Sequence, residues 1–286
     1  QLKNFSCYLI SCIKFLLEIY PFLLFDNKRT FFIHIMETLN LFKQTNFSNT
    51  IWWKVNINIR GYKNEIGNEL VTEIVKNRLF RIIETNLMQK NWLNKSRILI
   101  QCFEDGYICW VDINDLRIEK YETIANRLLL NDKISIQEKT PKILDWIKKQ
   151  SRKSNFYLWG GTAGPNYDCS GLIQTAFLKS NIFIPRDSFQ MKIFCEHLFN
   201  FPEDISVLKM GDILFFGEDK KCNHVGIYYS KGKYFHSSGK DNGRNGIALD
   251  SILDLENSDK ISKYYRSILI SAGRVTKSYL WNQTIR

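Results

Sequence analysis

The chain has 286 residues, a formal net charge of +11 and 44% hydrophobic residues, which is enough apolar material for one large domain or two smaller ones. Charged residues make up 24%, so the composition excludes a wholly disordered chain and a protein of many membrane spans. The 40 Lys and Arg residues are scattered rather than clustered, so we expect a solvated basic surface and no nucleic-acid partner.

Residues 1–45 form an N-terminal extension with several possible roles. The stretch 5–25 is rich in Leu, Ile and Phe, but Lys14 and Glu18 interrupt it, which disfavours both a secretory signal and a spanning helix. We therefore expect no stable membrane insertion. Because the first Met is Met36, three alternatives stay open: residues foreign to the natural protein, a peripheral helix, or a degenerate export or anchor segment.

Residues 46–133 are expected to form a small β-barrel. Alternate residues between 53 and 59 are apolar, which indicates one face of a strand. Residues 97–113 predict a hairpin whose Asp105-Gly106 dipeptide favours a tight type I′ turn. The apolar spacing in 71–89 instead predicts a helix inserted into the barrel.

A second domain is predicted over residues 134–286. The polar stretch 119–140 separates it from the barrel and ends at Thr140-Pro141. Because proline is favoured in the first turn of a helix, Pro141 is expected to begin one.

Cys169 is the candidate nucleophile of this second domain. It follows a glycine-rich stretch, 157–168, and opens a run with apolar residues at helical spacing. Asp168 is a favoured N-cap residue, so Cys169 would lie beside unpaired N–H groups at the positive end of the helix dipole. Such a position lowers a thiol pKa from about 8.5 towards neutrality, and the thiolate is the attacking species. Cys169 could instead be a small apolar packing residue.

The cysteine count favours reduced thiols. Seven is an odd number, and no pair has C-x-x-C spacing, which disfavours a disulfide framework or a zinc ribbon. Reduced thiols are typical of the cytoplasm, so we expect a cytoplasmic protein with no metal or other cofactor. The seven are Cys7, Cys12, Cys102, Cys109, Cys169, Cys195 and Cys222.

Two histidines lie on a predicted hairpin with a three-residue loop, 230–232. That loop length sets a register in which His224 and His236 share one sheet face, roughly 7 to 8 Å apart, whereas a two-residue loop would separate them. We therefore predict that His224 takes the proton of Cys169 and that His236 orients His224 through its other ring nitrogen.

Four motifs resemble the NlpC/p60 family of cell-wall cysteine peptidases. They are Asp-Cys-Ser-Gly-Leu at 168–172, Gly-Asp-Ile-Leu-Phe-Phe at 211–216, His-Val-Gly-Ile-Tyr at 224–228 and Tyr-Phe-His-Ser-Ser at 234–238. The resemblance runs from about residue 157 to 279, and 157–171 is similar to γ-D-glutamyl-L-diamino acid endopeptidases, especially cyanobacterial ones. It implies an α+β, papain-like domain in which the helix carrying the cysteine packs on an antiparallel sheet, preceded by a bacterial SH3-like barrel at 46–133.

The same resemblance implies roles for individual residues. Cys169 would be the nucleophile, His224 the base and His236 the third member, while the Tyr157 hydroxyl would hold the oxyanion together with the Cys169 N–H. The implied substrate contacts are Tyr107, Asp168, Ser170, Asp187 and Ser188. Tyr157 could instead be a packing aromatic, Asp168 only a cap and Asp187 only a loop residue.

These implications predict a thiol protease that hydrolyses the γ-D-glutamyl-L-diamino acid (diaminopimelate) bond of peptidoglycan stem peptides in cell-wall recycling. Tyr107 and an acidic residue beside the nucleophile would hold the free N-terminal ammonium of L-Ala, which would select released peptides. Two alternatives stay open: an amidase or acyltransferase of the same superfamily, and a non-catalytic wall-binding protein. The oligomeric state is left open.

Overall fold

The structure, a computed structural model, describes residues 51–84, 97–121, 131–201, 205–241, 243–253 and 258–281. These residues all belong to the unit Asn49–Arg286. The predicted extension, 1–45, lies outside the described residues.

Seven antiparallel strands form the first sheet, in the order β3-β2-β6-β5-β4-β1-β7. They are β1 (Trp52–Val55), β2 (Ile59–Tyr62), β3 (Leu70–Ile74), β4 (Leu79–Glu84), β5 (Arg97–Cys102), β6 (Ile108–Asp112) and β7 (Ile118–Tyr121). Trp53, Val55, Phe80 and Ile100 are buried in its core. The SH3-like character of this sheet stays a prediction.

The helix predicted over 71–89 is wrong for the part of that range that the structure describes. Its residues form β3 and β4, joined by a turn in which Asn77 has a φ of +73°. β3 pairs with β2, and β4 pairs with β1 and β5. Pairing with strands distant in sequence therefore overrides a local helical spacing.

The hairpin at 97–113 is confirmed, but its predicted turn type is wrong. β5 pairs with β6, and a five-residue loop, 103–107, joins them. Only Gly106 in this loop has a positive φ, +69°, whereas a type I′ turn needs two such residues. The Gly106 N–H donates to the carbonyl of Cys102 at 3.0 Å, which closes the wider loop.

A second sheet of six antiparallel strands and four helices form the rest of the fold. The strands are β8 (Glu196–Asn200), β9 (Ile213–Phe216), β10 (His224–Ser230), β11 (Lys233–Ser238), β12 (Gly246–Ser251) and β13 (Leu269–Arg274), in the order β12-β11-β10-β9-β13-β8. The helices are α1 (Lys133–Ser151), α2 (Cys169–Leu178), α3 (Ser188–Phe194) and α4 (Lys260–Ser267). None of the helices in the described part of the chain has the length and apolar character that a membrane crossing requires.

Helix α1 begins two turns earlier than predicted. Asp132 caps it by accepting the Ser135 N–H at 2.8 Å, so Pro141 lies inside the helix rather than at its start. The Thr140 hydroxyl donates to the carbonyl of Ile136 at 2.9 Å in the turn before the proline. A good cap in the polar stretch therefore sets the helix start, and the proline is tolerated within it.

The second sheet is buried on both faces. Side chains such as Leu172 of α2 and Val225 and Ile227 of β10 share one core with α1. Phe216, Tyr234 and Tyr265 belong to a second core under α4. Burying each such side chain contributes about 1.5–3 kcal/mol, so both faces hold the sheet in place.

Polar contacts join the first sheet and its β5–β6 loop to the glycine-rich stretch 157–168 and to α2. The Glu73 carboxylate accepts the N–H groups of Thr162 and Ala163 at 3.0 and 2.9 Å. The amide of Gln174, on α2, donates to Asp105 at 2.8 Å. The first sheet therefore braces both the glycine-rich loop and the helix that begins at Cys169.

Candidate active site

The start of α2 is built as the sequence predicts. Asp168 is the N-cap, and its Oδ1 accepts the Gly171 N–H at 2.6 Å. A Cβ on Gly171 would lie 2.1 Å from the carbonyl oxygen of Gly161, so only glycine allows the glycine-rich loop to approach the helix this closely. Cys169 is the first helical residue, and it is 7% exposed.

The sulfur of Cys169 lies beside the start of β10. It accepts hydrogen bonds from the backbone N–H groups of Val225 and Ser170. The pairing of β10 with β11 ends at Ile227, so Val225 lies beyond the paired part of the hairpin. Because Val225 directly follows His224, this hydrogen bond holds the sulfur of α2 at the end of β10 that carries the imidazole.

The expected low pKa of Cys169 is wrong for this closed site. Burial, with a further contribution from the Asp168 carboxylate, raises the pKa of the thiol to about 12 against the opposing effect of Arg186 and the two N–H groups. Burial also lowers the pKa of His224 well below its usual value, with His236 adding to the shift. Both groups are therefore neutral at rest, a protonated thiol at Cys169 and an uncharged imidazole at His224.

The two histidines share a sheet face, although the predicted loop length is wrong. The loop is the two-residue turn Lys231-Gly232, with φ of +48° and +75°. A bulge at Tyr229 adds one residue to β10 and restores the predicted parity. The ring nitrogens His224 Nε2 and His236 Nδ1 are 2.8 Å apart.

Asp250 continues this chain of side chains, and sequence reasoning missed it. His236 Nε2 lies 2.8 Å from Asp250 Oδ2, and Asp250 is only 4% exposed. Asp250 lies on β12, where Ala248 is the register partner of His236. An acidic residue in an otherwise strand-like stretch, Gly-Ile-Ala-Leu-Asp-Ser at 246–251, was the available signal.

Tyr265 of α4 packs against both imidazoles and was also missed. Its ring centroid is 4.7 Å from that of His224, with the planes tilted by 31°, and 4.7 Å from that of His236 in an edge arrangement. Tyr265 is 1% exposed. The ring therefore limits rotation of both histidines.

Tyr157 lies close to Cys169, the candidate nucleophile. Burial raises the pKa of its hydroxyl, and the nearby charge of Cys169 as a thiolate adds to the shift. The hydroxyl therefore stays protonated and can donate a hydrogen bond near the sulfur.

Asp168 and Ser170 are engaged by Arg186, which is 2% exposed. Arg186 donates to Asp168 Oδ2 at 2.5 Å and Oδ1 at 3.2 Å, and to the Ser170 hydroxyl at 2.8 Å. The same guanidinium reaches the first sheet, at Thr72 Oγ1 and the carbonyl of Val71. Asp168 is thus a cap and an ion-pair partner in this structure.

Tyr107 and Asp187 meet at the junction between the first sheet and α3. The Tyr107 hydroxyl donates to the Asp187 carboxylate. Burial raises the pKa of Asp187, and Asp168 and Asp105 add to the shift, while Arg186 opposes it. Ser188 points elsewhere, since its hydroxyl lies 3.5 Å from the carbonyl oxygen of Cys222.

Together these features describe a thiol beside an imidazole that further polar groups orient, which is the arrangement of a cysteine-dependent hydrolase. Residues 154–269 match the model of the NlpC/P60 family. The comparisons support a peptidase domain of the NlpC/P60 family with an α+β fold in this part of the chain. No group of three or more potential metal ligands is present among the described residues.

Two curated relatives come from Bacillus subtilis (strain 168). The bifunctional muramidase/DL-endopeptidase CwlT is 34% identical over 123 residues, which are 42% of this chain and 32% of that protein. The gamma-D-glutamyl-L-lysine dipeptidyl-peptidase is 34% identical over 84 residues, which are 28% of this chain and 27% of that protein. The matches thus span about a third or less of the length of these relatives.

Solved structures resemble the chain more distantly. An NlpC/P60 family protein from Bacillus cereus ATCC 10987 is 19% identical, with a TM-score of 0.40 over 81% of this chain and 65% of that one.

Proposed function

We propose that this chain hydrolyses the γ-D-glutamyl-L-diamino acid bond of peptidoglycan stem peptides, with diaminopimelate as the diamino acid. The observation that carries the proposal is the position of the Cys169 sulfur on the Val225 N–H, next to His224 and its hydrogen-bonded partner His236. The names of the relatives, a DL-endopeptidase and a γ-D-glutamyl-L-lysine dipeptidyl-peptidase, favour this substrate class.

The reaction begins with transfer of the thiol proton to His224. The sulfur of Cys169 attacks the γ-glutamyl carbonyl, and the Cys169 N–H and the Tyr157 hydroxyl stabilise the oxyanion. One such donor contributes about 3 kcal/mol to lowering the barrier. His224 then returns the proton to the leaving amine, and water hydrolyses the acyl-enzyme to release L-Ala-γ-D-Glu.

The pair Tyr107 and Asp187 supports selection of peptides with a free N-terminal L-Ala. Asp187 is largely buried and has a raised pKa, so a substrate ammonium would compensate the carboxylate. A substrate acylated at this nitrogen would leave the carboxylate without a cation, at a cost of several kcal/mol. Released peptides would then be preferred over intact wall, as recycling requires.

We also propose a cytoplasmic setting. The described residues include five cysteines with free thiols: Cys102, Cys109, Cys169, Cys195 and Cys222. Thiols are kept reduced in that compartment.

One set of incubations tests the proposal. L-Ala-γ-D-Glu-diaminopimelate, its N-acetylated form and the same peptide on muramyl sugar are each incubated with wild type, Cys169→Ala and Tyr107→Phe, and products are read by mass spectrometry. We expect wild type to release L-Ala-γ-D-Glu from the free peptide with at least about 100-fold higher kcat/KM than from the blocked ones, since a lost ion contact is worth about 3 kcal/mol.

Each outcome has a separate meaning. Equal cleavage of free and blocked peptides would refute ammonium selection while leaving the hydrolase in place. Activity in Cys169→Ala would remove Cys169 from its role. If wild type cleaves none of the three peptides, the γ-D-glutamyl substrate is wrong. Tyr107→Phe should narrow the preference for the free peptide without abolishing cleavage.

A further inference from the structure

A buried carboxylate and an arginine continue the line of side chains that starts at His224. Asp250 Oδ2 lies 2.8 Å from His236 Nε2, and His236 Nδ1 lies 2.8 Å from His224 Nε2. Arg244 holds the same carboxylate with two hydrogen bonds, Nη2 to Oδ1 at 2.5 Å and Nε to Oδ2 at 3.1 Å. Four side chains thus form one continuous hydrogen-bonded line.

The direction of the hydrogen bonds follows from Asp250. Burial would raise its pKa, but the hydrogen bonds from His236 and Arg244 outweigh burial and hold the pKa below its usual range. An ionised carboxylate only accepts, so His236 Nε2 must carry a proton. In a neutral His236, Nδ1 then has a lone pair and must accept the proton of His224 Nε2. The Nδ1 atom of His224 is left unprotonated, as a base requires.

Both imidazoles are neutral at rest. Burial lowers the pKa of His236 despite its hydrogen bond to Asp250, and burial likewise lowers that of His224. Without the carboxylate, two neutral histidines could adopt either of two tautomer orders, and only one of these leaves His224 Nδ1 able to accept the thiol proton.

We propose that Asp250, clamped by Arg244, is a positioning residue that fixes His236 and His224 in their Nε2–H tautomers. The inference rests on the proposed function, since it concerns the base of that reaction. Asp250 does not itself become protonated. It acts through His236, and its charge also stabilises the imidazolium that forms when Cys169 loses its proton.

The first test reads the tautomers directly. The full chain is labelled with 15N-histidine, and two-bond 1H–15N correlation spectra are recorded at pH 7.5. The sequence has only four histidines, His34, His197, His224 and His236, so single His→Gln variants assign the signals. We expect both His224 and His236 to carry the proton on Nε2 in the wild type.

Asp250→Asn is the matching variant. An amide cannot accept from both His236 and Arg244 without turning its NH2 group towards one of them. We therefore expect a measurable fraction of His236, and with it His224, to change to the Nδ1–H tautomer. Asp212→Asn is the control, because Asp212 is 1% exposed and accepts two hydrogen bonds from Arg274, at 2.7 Å each, outside the histidine line.

Kinetics supply a second readout. In Asp250→Asn, kcat for the free peptide should fall about 100-fold with KM changed less than about 3-fold, since Asp250 is only 4% exposed and its carboxylate is occupied by His236 and Arg244. The acid limb of kcat/KM should move to lower pH, because loss of the carboxylate disfavours the imidazolium. The titratable and charged groups around the imidazoles and their carboxylate are Tyr234 of β11 and Tyr265 of α4, whose rings pack on His236, and Arg244, which pairs with Asp250 and with Asp259.

The proposal is overturned if either histidine carries its proton on Nδ1 in the wild type. It is also overturned if Asp250→Asn leaves the tautomers and the acid limb as Asp212→Asn does. The wild-type spectrum does not depend on a variant that folds, and it does not depend on the substrate. A protein that cleaves none of the peptides would therefore refute the proposed function while the tautomers still decide this inference.

Discussion

Two buried carboxylates flank the candidate nucleophile and its base, and they are used differently. Asp168, at the start of α2, is paired with Arg186, which is 2% exposed and reaches the first sheet. Asp250, on β12, is paired with Arg244, whose side chain is 26% exposed. On the helix side, the Asp168 carboxylate accepts hydrogen bonds that hold the loop and the helix. On the sheet side, which is the line His224–His236–Asp250–Arg244, the Asp250 carboxylate accepts from an imidazole and so acts on the histidines.

Neutralising Asp168, on the helix side, should cause the largest loss of stability. In Asp168→Asn, Arg186 is left buried against a neutral partner, and the amide NH2 faces backbone donors at Gly160 or Gly171. We expect the free energy of unfolding to fall by about 3–5 kcal/mol in urea denaturation. The same change at Asp250 should cost less, about 1–3 kcal/mol, since water can reach Arg244. An equal loss at both positions would erase the distinction between the two sides.

The two arginines allow the same substitution on both sides. Arg186→Lys loses the forked contact to Asp168 and the contacts to the first sheet, so we expect a loss of about 2–3 kcal/mol. Arg244→Lys keeps a cation at the partly exposed end of the sheet-side line, and about 1 kcal/mol should be lost. Thermal unfolding of the two variants and wild type at one pH makes the comparison. A larger loss in Arg244→Lys would contradict it.

Acid should lower the stability of the folded chain through its two buried histidines. Because burial lowers the pKa of His224 and His236 in the folded state, the unfolded chain binds more protons below about pH 6.5. Their contribution to stability is complete above that pH and is lost as the pH falls towards the folded-state values. Each histidine adds at most about 1.4 kcal/mol per pH unit. Urea unfolding between pH 5 and 7.5 should show this slope, and His224→Gln should reduce it.

The sequence predicts the parts of the site that depend on short-range spacing. Asp168 as a cap, Cys169 as the first helical residue and the shared face of His224 and His236 all follow from neighbouring residues. The shared face survives although the loop is shorter than predicted, because the bulge at Tyr229 compensates.

The parts that need tertiary contacts could not be predicted. Asp250 reaches His236 only because β12 pairs with β11, and Tyr265 reaches both rings only because α4 packs on that face. The raised pKa of Cys169 comes from burial, which a local helix-dipole argument omits. Strands at 70–74 and 79–84 replace the predicted helix for the same reason, since their partners are distant in sequence.

Substitution of Asp259, which contacts Arg244 at the outer end of the sheet side, should have the smallest effects on stability and kcat. Asp259 accepts from Arg244 at 2.9 Å and also caps α4 through the N–H groups of Ile261 and Ser262. Asp259→Ala should cost about 1 kcal/mol, the usual value of a lost cap. Because Arg244 keeps both hydrogen bonds to Asp250, kcat should change less than about 3-fold.

Asp259→Asn separates the two roles of this residue, since asparagine still caps a helix but carries no charge. It should regain most of the stability lost in Asp259→Ala, with kcat again near wild type. If instead both variants lower kcat as far as Asp250→Asn does, then Asp259 also helps to position the histidines, acting through Arg244 and Asp250. The sheet side would then differ more strongly from the enclosed pair of Asp168 and Arg186, because dissolved salt could influence the histidines through Asp259 and Arg244.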